Sequence, residues 1–159
     1  MKSMMDVISE HFDSQDVKYQ QTDSGRLRAG FKLTNSSYTV FVHPDEGNRR
    51  VVLVTTMASN VPEPKRAAAA EFIARANLHF AVGGFDLDFS DGQMVFRVGV
   101  IVADGQLTGG MVWEALALAL TTMDTYHPGI MQIIHAGVSP ADAVAAMRSE
   151  PVGSGAMQL

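Results

Sequence analysis

The stretch GGFDLDFSDGQMVFRV, Gly83 to Val98, places Asp86, Asp88 and Asp91 within six positions, and two readings compete for it. A cation loop of the EF-hand kind needs glycine at its sixth position and a chelating glutamate at its twelfth. Counted from Asp86, those positions hold Asp91 and Arg97, and an arginine there would repel the ion. A hairpin closed by a two-residue type I′ turn at Asp91-Gly92 makes a stricter demand and meets it. Phe85, Leu87, Phe89, Met94, Phe96 and Val98 then share one wholly apolar face, because directly opposed residues lie on the same side. Asp86 falls opposite Arg97 as a cross-strand ion pair and Asp88 opposite Val95, and a slip of one residue would destroy the sorting. The stretch reads as strand, turn and strand.

Upstream, the apolar period is two. RLRAGFKL alternates Arg26, Arg28, Gly30 and Lys32 with Leu27, Ala29, Phe31 and Leu33, the pattern of a half-buried strand. Asn35 to Ser37 turns the chain into Tyr38–His43, and Pro44 to Asn48 turns it again into the β-branched run Arg49–Met57. Three strands with tight turns predict an antiparallel meander. Met4, Met5, Ile8 and Phe12 recur at helical spacing ahead of it. The alanine-rich segment from Pro64 to Asn77 predicts a middle helix. A long helix follows from about Gly110, with Pro128 kinking or dividing it. Ser139 as cap and Pro140 at the first helical position open a last helix. One domain over 1–148 with a flexible tail over 149–159 is the expected organisation.

At 159 residues, with 47% hydrophobic and 18% charged side chains, the composition is that of one globular unit with a real core. A formal charge of -5 argues against nucleic-acid binding through phosphate neutralisation. Cysteine is absent, which removes disulfides, thiolate metal sites and cysteine nucleophiles and fits a reducing cytoplasm. The N-terminus lacks the apolar core of a signal peptide, and the run from Met111 to Met123 is too short for a bilayer and carries Glu114. A cytoplasmic protein with no membrane contact is expected.

Candidate chemistry is sparse. His11, His43, His79, His127 and His135 include no pair at chelating i, i+4 spacing, and the hydrolase-elbow, zincin and phosphate-loop motifs are missing. No catalytic residue, cofactor or metal is assigned. An enzyme or small-molecule sensor would need a pocket between the sheet and the Pro64–Asn77 helix, with His79, Asp88 and Glu114 as acid–base candidates. Two features point outward instead. The helix after Gly110 presents Met111, Val112, Trp113, Leu116, Leu118, Leu120 and Met123, more apolar surface than one sheet buries. Arg26, Arg28 and Lys32 line the polar face of one strand, either as a solvated face or as a docking row for an acidic segment, with Val95 an exposed apolar neighbour on the equivalent hairpin face.

The element order, the stretch ANLHFAVGGFDLDFSDGQMVFRVGV (Ala76 to Val100) and DTYHPGIMQIIHAGVSPADAV (Asp124 to Val144) together resemble the YbjN-domain family, bacterial proteins described as sensory transduction regulators. The resemblance rests on the glycine-led approach to an Asp-Gly hairpin, the Tyr126-x-Pro128 in the long helix and the Ser139-Pro140-x-x-Ala143 ending, and it spans about Met1 to Met147. It implies an α+β domain, an antiparallel twisted sheet of meander plus hairpin with helices at the N-terminus, middle and C-terminus, like class I type III secretion chaperones. It further implies a homodimer and no catalytic residues to carry over. The expectation is a non-catalytic, chaperone-like adaptor or regulator that binds a protein segment.

Overall fold

The computed structural model describes residues 1–149. Helix α1 (Met4–Ser14) is opened by Ser3 and Asp6, whose side chains each take the other's backbone N–H in a capping box. It buries Met4, Ile8 and Phe12, the positions its period selects. Strands β1 (Tyr19–Gln21), β2 (Leu27–Lys32), β3 (Ser37–Asp45) and β4 (Arg50–Met57) follow. After a 3₁₀ turn at Glu63–Lys65 come α2 (Arg66–Asn77), β5 (Gly84–Leu87), β6 (Met94–Ile101), α3 (Gly109–Ala136) and α4 (Pro140–Ser149). The strands form one antiparallel sheet of six in the order β1-β2-β3-β4-β6-β5. The meander and hairpin are therefore joined through β4 and β6, and the short β1 extends the sheet beyond the strands read from period two.

Period two decides the two faces of this sheet. Leu27, Ala29, Tyr38, Val40, Val42, Val51, Leu53, Phe85, Met94, Phe96 and Val98 are buried, and all but Ala29 join one core with the helices. Helices α1, α2 and α3 pack on this face, and α4 packs on α2 and α3. α3 buries Val112, Ala115, Leu116, Ala119, Leu120, Met123, Ile130 and Ile133 and half-buries Trp113 and Leu118. The apolar excess read on this helix is thus absorbed within the chain, by α1, α2 and α4 as well as the sheet. Met111 is the large apolar side chain it leaves exposed. Pro128 lies inside α3 without dividing it. Ser139 caps α4 by accepting the N–H of Asp142 at 3.2 Å. α4 runs through Ser149, and the rest of the expected tail, residues 150–159, lies outside the described residues.

The opening stretch forms the expected hairpin with a different turn. Phe85 faces Phe96, Asp86 faces Val95 and Leu87 faces Met94, two residues away from the register that a type I′ turn imposes. A shift of two keeps the faces, so Phe85, Leu87, Met94, Phe96 and Val98 still share a side, while Phe89 moves into the loop and is exposed. Asp86 still reaches Arg97 at 3.2 Å, now diagonally, a contact between two half-exposed side chains worth about 0.2–1 kcal/mol. The longer loop is closed locally, with Gly92 N–H donating to the Asp88 carbonyl at 2.7 Å, and is tied to its surroundings. Its carbonyls are bonded outward: Phe89 accepts from Arg66 Nη1, Asp91 from Asn60 Nδ2 and Gly92 from the Val61 N–H at 2.7 Å. Of the two residues that a type I′ turn needs at positive φ, only Gly92 has it, at +79°.

Gly92 also presses against the segment before α2, where an added Cβ would stand 2.0 Å from the Val61 carbonyl oxygen. Gly92→Ala is expected to cost on the order of 2 kcal/mol or more from strain and overlap together. Thermal unfolding followed by circular dichroism should show a melting temperature lower by roughly 4–8 °C for a chain of this size.

Candidate functional site

Among the described residues the helices pack on the first face of the sheet and none is placed against the second. Its side chains are the alternate ones, among them Arg28, Gly30 and Lys32 on β2, Thr39, Phe41 and His43 on β3, Arg50, Val52, Val54 and Thr56 on β4, Val95, Arg97, Gly99 and the exposed Ile101 on β6, and Asp86 on β5. Phe41, Val52 and Val54 are half-buried and Val95 is buried, yet none of them belongs to the core cluster or packs on it. They form a separate apolar patch on the open side. Cross-strand pairing sets Arg28, Phe41, Val54 and Arg97 side by side in one rung, with cations at both ends. The neighbouring rung runs Gly30, Thr39, Thr56, Val95 and Asp86. The β5–β6 loop with Phe89 walls a shallow concavity whose floor includes Val54 and Val95.

Arg26, Arg28 and Lys32 are exposed, and among the described residues none has an ion-pair partner. In an acidic chain, three uncompensated cations along one strand are a charge asymmetry at the margin of the apolar patch. Val95 is a correction. Expected to be exposed, it is 8% exposed, because β6 is an interior strand and Thr56 and Asp86 flank it on both sides. Phe41, Val52 and Val54 were not singled out from sequence. The available signal was that Tyr38–His43 and Arg49–Met57 are apolar at odd and even positions alike, where a one-sided strand alternates.

The sheet edges are less available than this face. On β5 the side-chain amide of Asn77 stands where a further strand would, accepting the Phe85 N–H at 2.8 Å and donating to the Phe85 carbonyl at 3.0 Å. That edge is occupied. The opposite edge strand, β1, has three residues.

The acid–base candidates do not converge. His79 is exposed in the α2–β5 connection, Asp88 is exposed in the hairpin loop and Glu114 is exposed on α3. Ser90 donates its Oγ–H and its N–H to the Asp88 carboxylate, which holds that carboxyl below its usual range, so Asp88 is ionised at neutral pH. Among the described residues no three His, Cys, Asp or Glu side chains are grouped to hold a metal ion. Phe80, in the α2–β5 connection, packs its ring against Phe85, Phe96 and Tyr126 at ring separations of 5.2–5.8 Å.

A polar cluster that sequence reasoning did not single out lies at the joint between α3 and the sheet. Pro128 has no N–H to offer the carbonyl of Asp124 four residues earlier. That carbonyl accepts instead from Asn35 Nδ2 at 2.9 Å, in the β2–β3 turn. The Asp124 carboxylate accepts the Asn35 N–H at 2.9 Å and the Tyr38 hydroxyl at 2.8 Å. Burial, then the hydrogen bond to Asp124 and its charge, push the Tyr38 phenol far above its ordinary range, so Tyr38 is a permanent donor. His127 lies edge-on to Tyr38 at 5.8 Å, and its Nδ1 is buried with no hydrogen-bond partner. Each of these hydrogen bonds ties α3 to the β2–β3 turn or to the start of β3, and the cluster reads as an anchor.

With this geometry in hand, comparison with known proteins is decisive for ancestry. The chain matches the YbjN family, “Putative bacterial sensory transduction regulator”, over residues 5–131. It belongs to that family. No curated protein matches it. Among solved structures it is similar to YbjN from E. coli, at 11% identity and a TM-score of 0.55 over 71% of this chain and 81% of that one. A chain of the HopA1–SchA chaperone–effector complex matches at 16% identity and a TM-score of 0.50, over 74% and 88% respectively. A chain of the ExsC–ExsE complex matches at 15% identity and 0.51, over 79% and 94%. These likenesses establish the fold, an α+β YbjN and type III secretion chaperone-like one.

The anchor has a pH signature. Burial lowers the His127 pKa below its ordinary 6.5, against a smaller opposing pull from the Asp124 charge. Above that value the imidazole is neutral in both states; as pH falls below it, the unfolded chain takes up a proton that the native chain resists, and stability is lost. Thermal melts from about pH 7 to about pH 5.5 should show a smaller loss of melting temperature in His127→Gln than in the native chain. Tyr38→Phe should lower stability by about 1–3 kcal/mol in denaturant titrations, since it removes a buried donor from Asp124.

Proposed function

We propose that this YbjN-family protein is a non-catalytic, protein-binding regulator of chaperone-like character, a small acidic homodimer of the cytoplasm that captures a segment of another polypeptide. The observation that carries the proposal is the apolar patch of Phe41, Val52, Val54 and Val95, outside the core and on the uncovered sheet face, beside the unpaired Arg26, Arg28 and Lys32. An apolar centre with a charged margin suits recognition of a polypeptide better than binding of a compact metabolite. Two solved structures with this fold come from the HopA1–SchA chaperone–effector complex and the ExsC–ExsE complex, which supports protein capture as the use of the fold here. In this reading Arg26, Arg28 and Lys32 form the polar docking row and Val95 part of the apolar floor. The competing reading, an enzyme or sensor with a pocket between sheet and α2, has no observation in its favour.

Light scattering coupled to gel filtration should return twice the 17.1 kDa mass of one chain. Affinity capture from native cells should retain a defined partner, and the triple charge reversal Arg26→Glu, Arg28→Glu, Lys32→Glu should reduce its recovery with the fold intact by circular dichroism. A strictly monomeric chain that retains nothing would sink the proposal.

A further inference from the structure

Resting on that reading, we propose the chemistry of the captured segment: an extended acidic stretch in which two carboxylates four positions apart bracket one apolar side chain. The rung Arg28–Phe41–Val54–Arg97 works as a template for it. Neighbouring strands lie about 4.8 Å apart, so the two arginines, three strand steps from each other, are separated by about 14 Å at the backbone. An extended segment laid across the strands advances about 3.3 Å per residue and returns to the same face every second residue. Residues i, i+2 and i+4 therefore face the sheet, and the outer two are about 13 Å apart. Carboxylates at i and i+4 meet Arg28 and Arg97, while the apolar residue at i+2 lies over Phe41 and Val54. A helix covers 14 Å in about nine residues, by which point it has made about two and a half turns and presents its opposite side.

Charge selects this occupant over the others. Arg28 has no acidic partner among the described residues, and Arg97 shares one carboxylate with Asp86 at 3.2 Å while keeping further N–H donors. A second copy of this chain fits poorly here. A two-fold axis through the rung would lay Arg28 over Arg97 if it ran along the strands, or over Arg28 if it ran across them, cation on cation in either case. Single-stranded nucleic acid needs aromatic platforms for successive bases. Among the described residues Phe41 is the one Phe, Tyr or Trp side chain projecting from these rungs, and the chain is acidic. Addition of a strand at the hairpin edge meets the Asn77 amide already bonded to both backbone groups of Phe85.

The test is fluorescence anisotropy with a labelled ten-residue serine-rich peptide carrying two glutamates four positions apart and leucine midway. Comparators replace the glutamates by lysines, move them to two positions apart, or substitute a short oligo-dT. The acidic peptide should bind, weaken about tenfold or more with Arg28→Glu and with Phe41→Ser, and weaken further as salt rises from about 50 to about 500 mM. The closely spaced acidic peptide should bind several-fold less well, and the lysine peptide should not bind. Circular dichroism melts confirm that each variant folds. An acidic peptide that binds no better than the lysine one, an affinity indifferent to Arg28→Glu, or preference for oligo-dT overturns the proposal. A native partner that Arg28→Glu and Phe41→Ser still retain would leave protein capture standing while removing this surface.

Discussion

Pro128 sits in the middle of a 28-residue helix and cannot donate to the carbonyl of Asp124. The structure uses that vacancy. Asn35 takes the free carbonyl, and Asn35 and Tyr38 together take the carboxylate one side chain away, so the turn between β2 and β3 is pinned to the middle of α3. A buried carboxylate left without donors is costly, which makes the joint all-or-none: either the turn docks at Asp124 or the charge is stranded. α3 packs on β4 and β6 and α1 on β3, and Tyr38, Val40 and Val42 lie in the core on that covered side.

Among the described residues the sheet has one covered side. The helices exhaust themselves on the core face, and even the apolar excess of α3 is used within the chain, against α1, α2 and α4. Among the described residues, the patch around Phe41 and Val54 on the other side is apolar and outside the core, as are the exposed Leu78, Val82, Phe89, Ile101 and Met111. The hairpin edge is managed by the Asn77 amide, a local device against strand addition, and the far edge is kept to three residues. Between a stoppered edge, a short edge and an open face lined by unpaired cations, the face is the surface on which recognition by side chains is possible. Family membership and the chaperone-like fold agree with that use without specifying a partner, since a fold is shared by many functions.

Much of this was legible in the residues. Met4, Ile8 and Phe12, the alternation from Arg26 to Leu33 and the cap at Ser139 each report a local preference, and each element formed as its pattern says. The α+β class, the antiparallel meander plus hairpin and the family followed from them. The candidate surface was half legible: the cations Arg26, Arg28 and Lys32 stand out by alternation, whereas Phe41, Val52 and Val54 look like core because period two cannot tell a covered face from an open one.

The loop of the opening hairpin shows where that limit lies. Local chemistry at Asp91-Gly92 favours a two-residue turn, and parity alone determines that Phe85, Leu87, Met94, Phe96 and Val98 share a face. The residues by themselves determined that sorting, the class of the fold and the absence of thiol chemistry. The register within that parity was settled only in the folded chain, where Val61, Asn60 and Arg66 bond the loop's carbonyls. So was the covering of one face, by α1, α2 and α3 packing on it. Both involve contacts between segments far apart in sequence, and contacts of that kind have no period for a sequence to display.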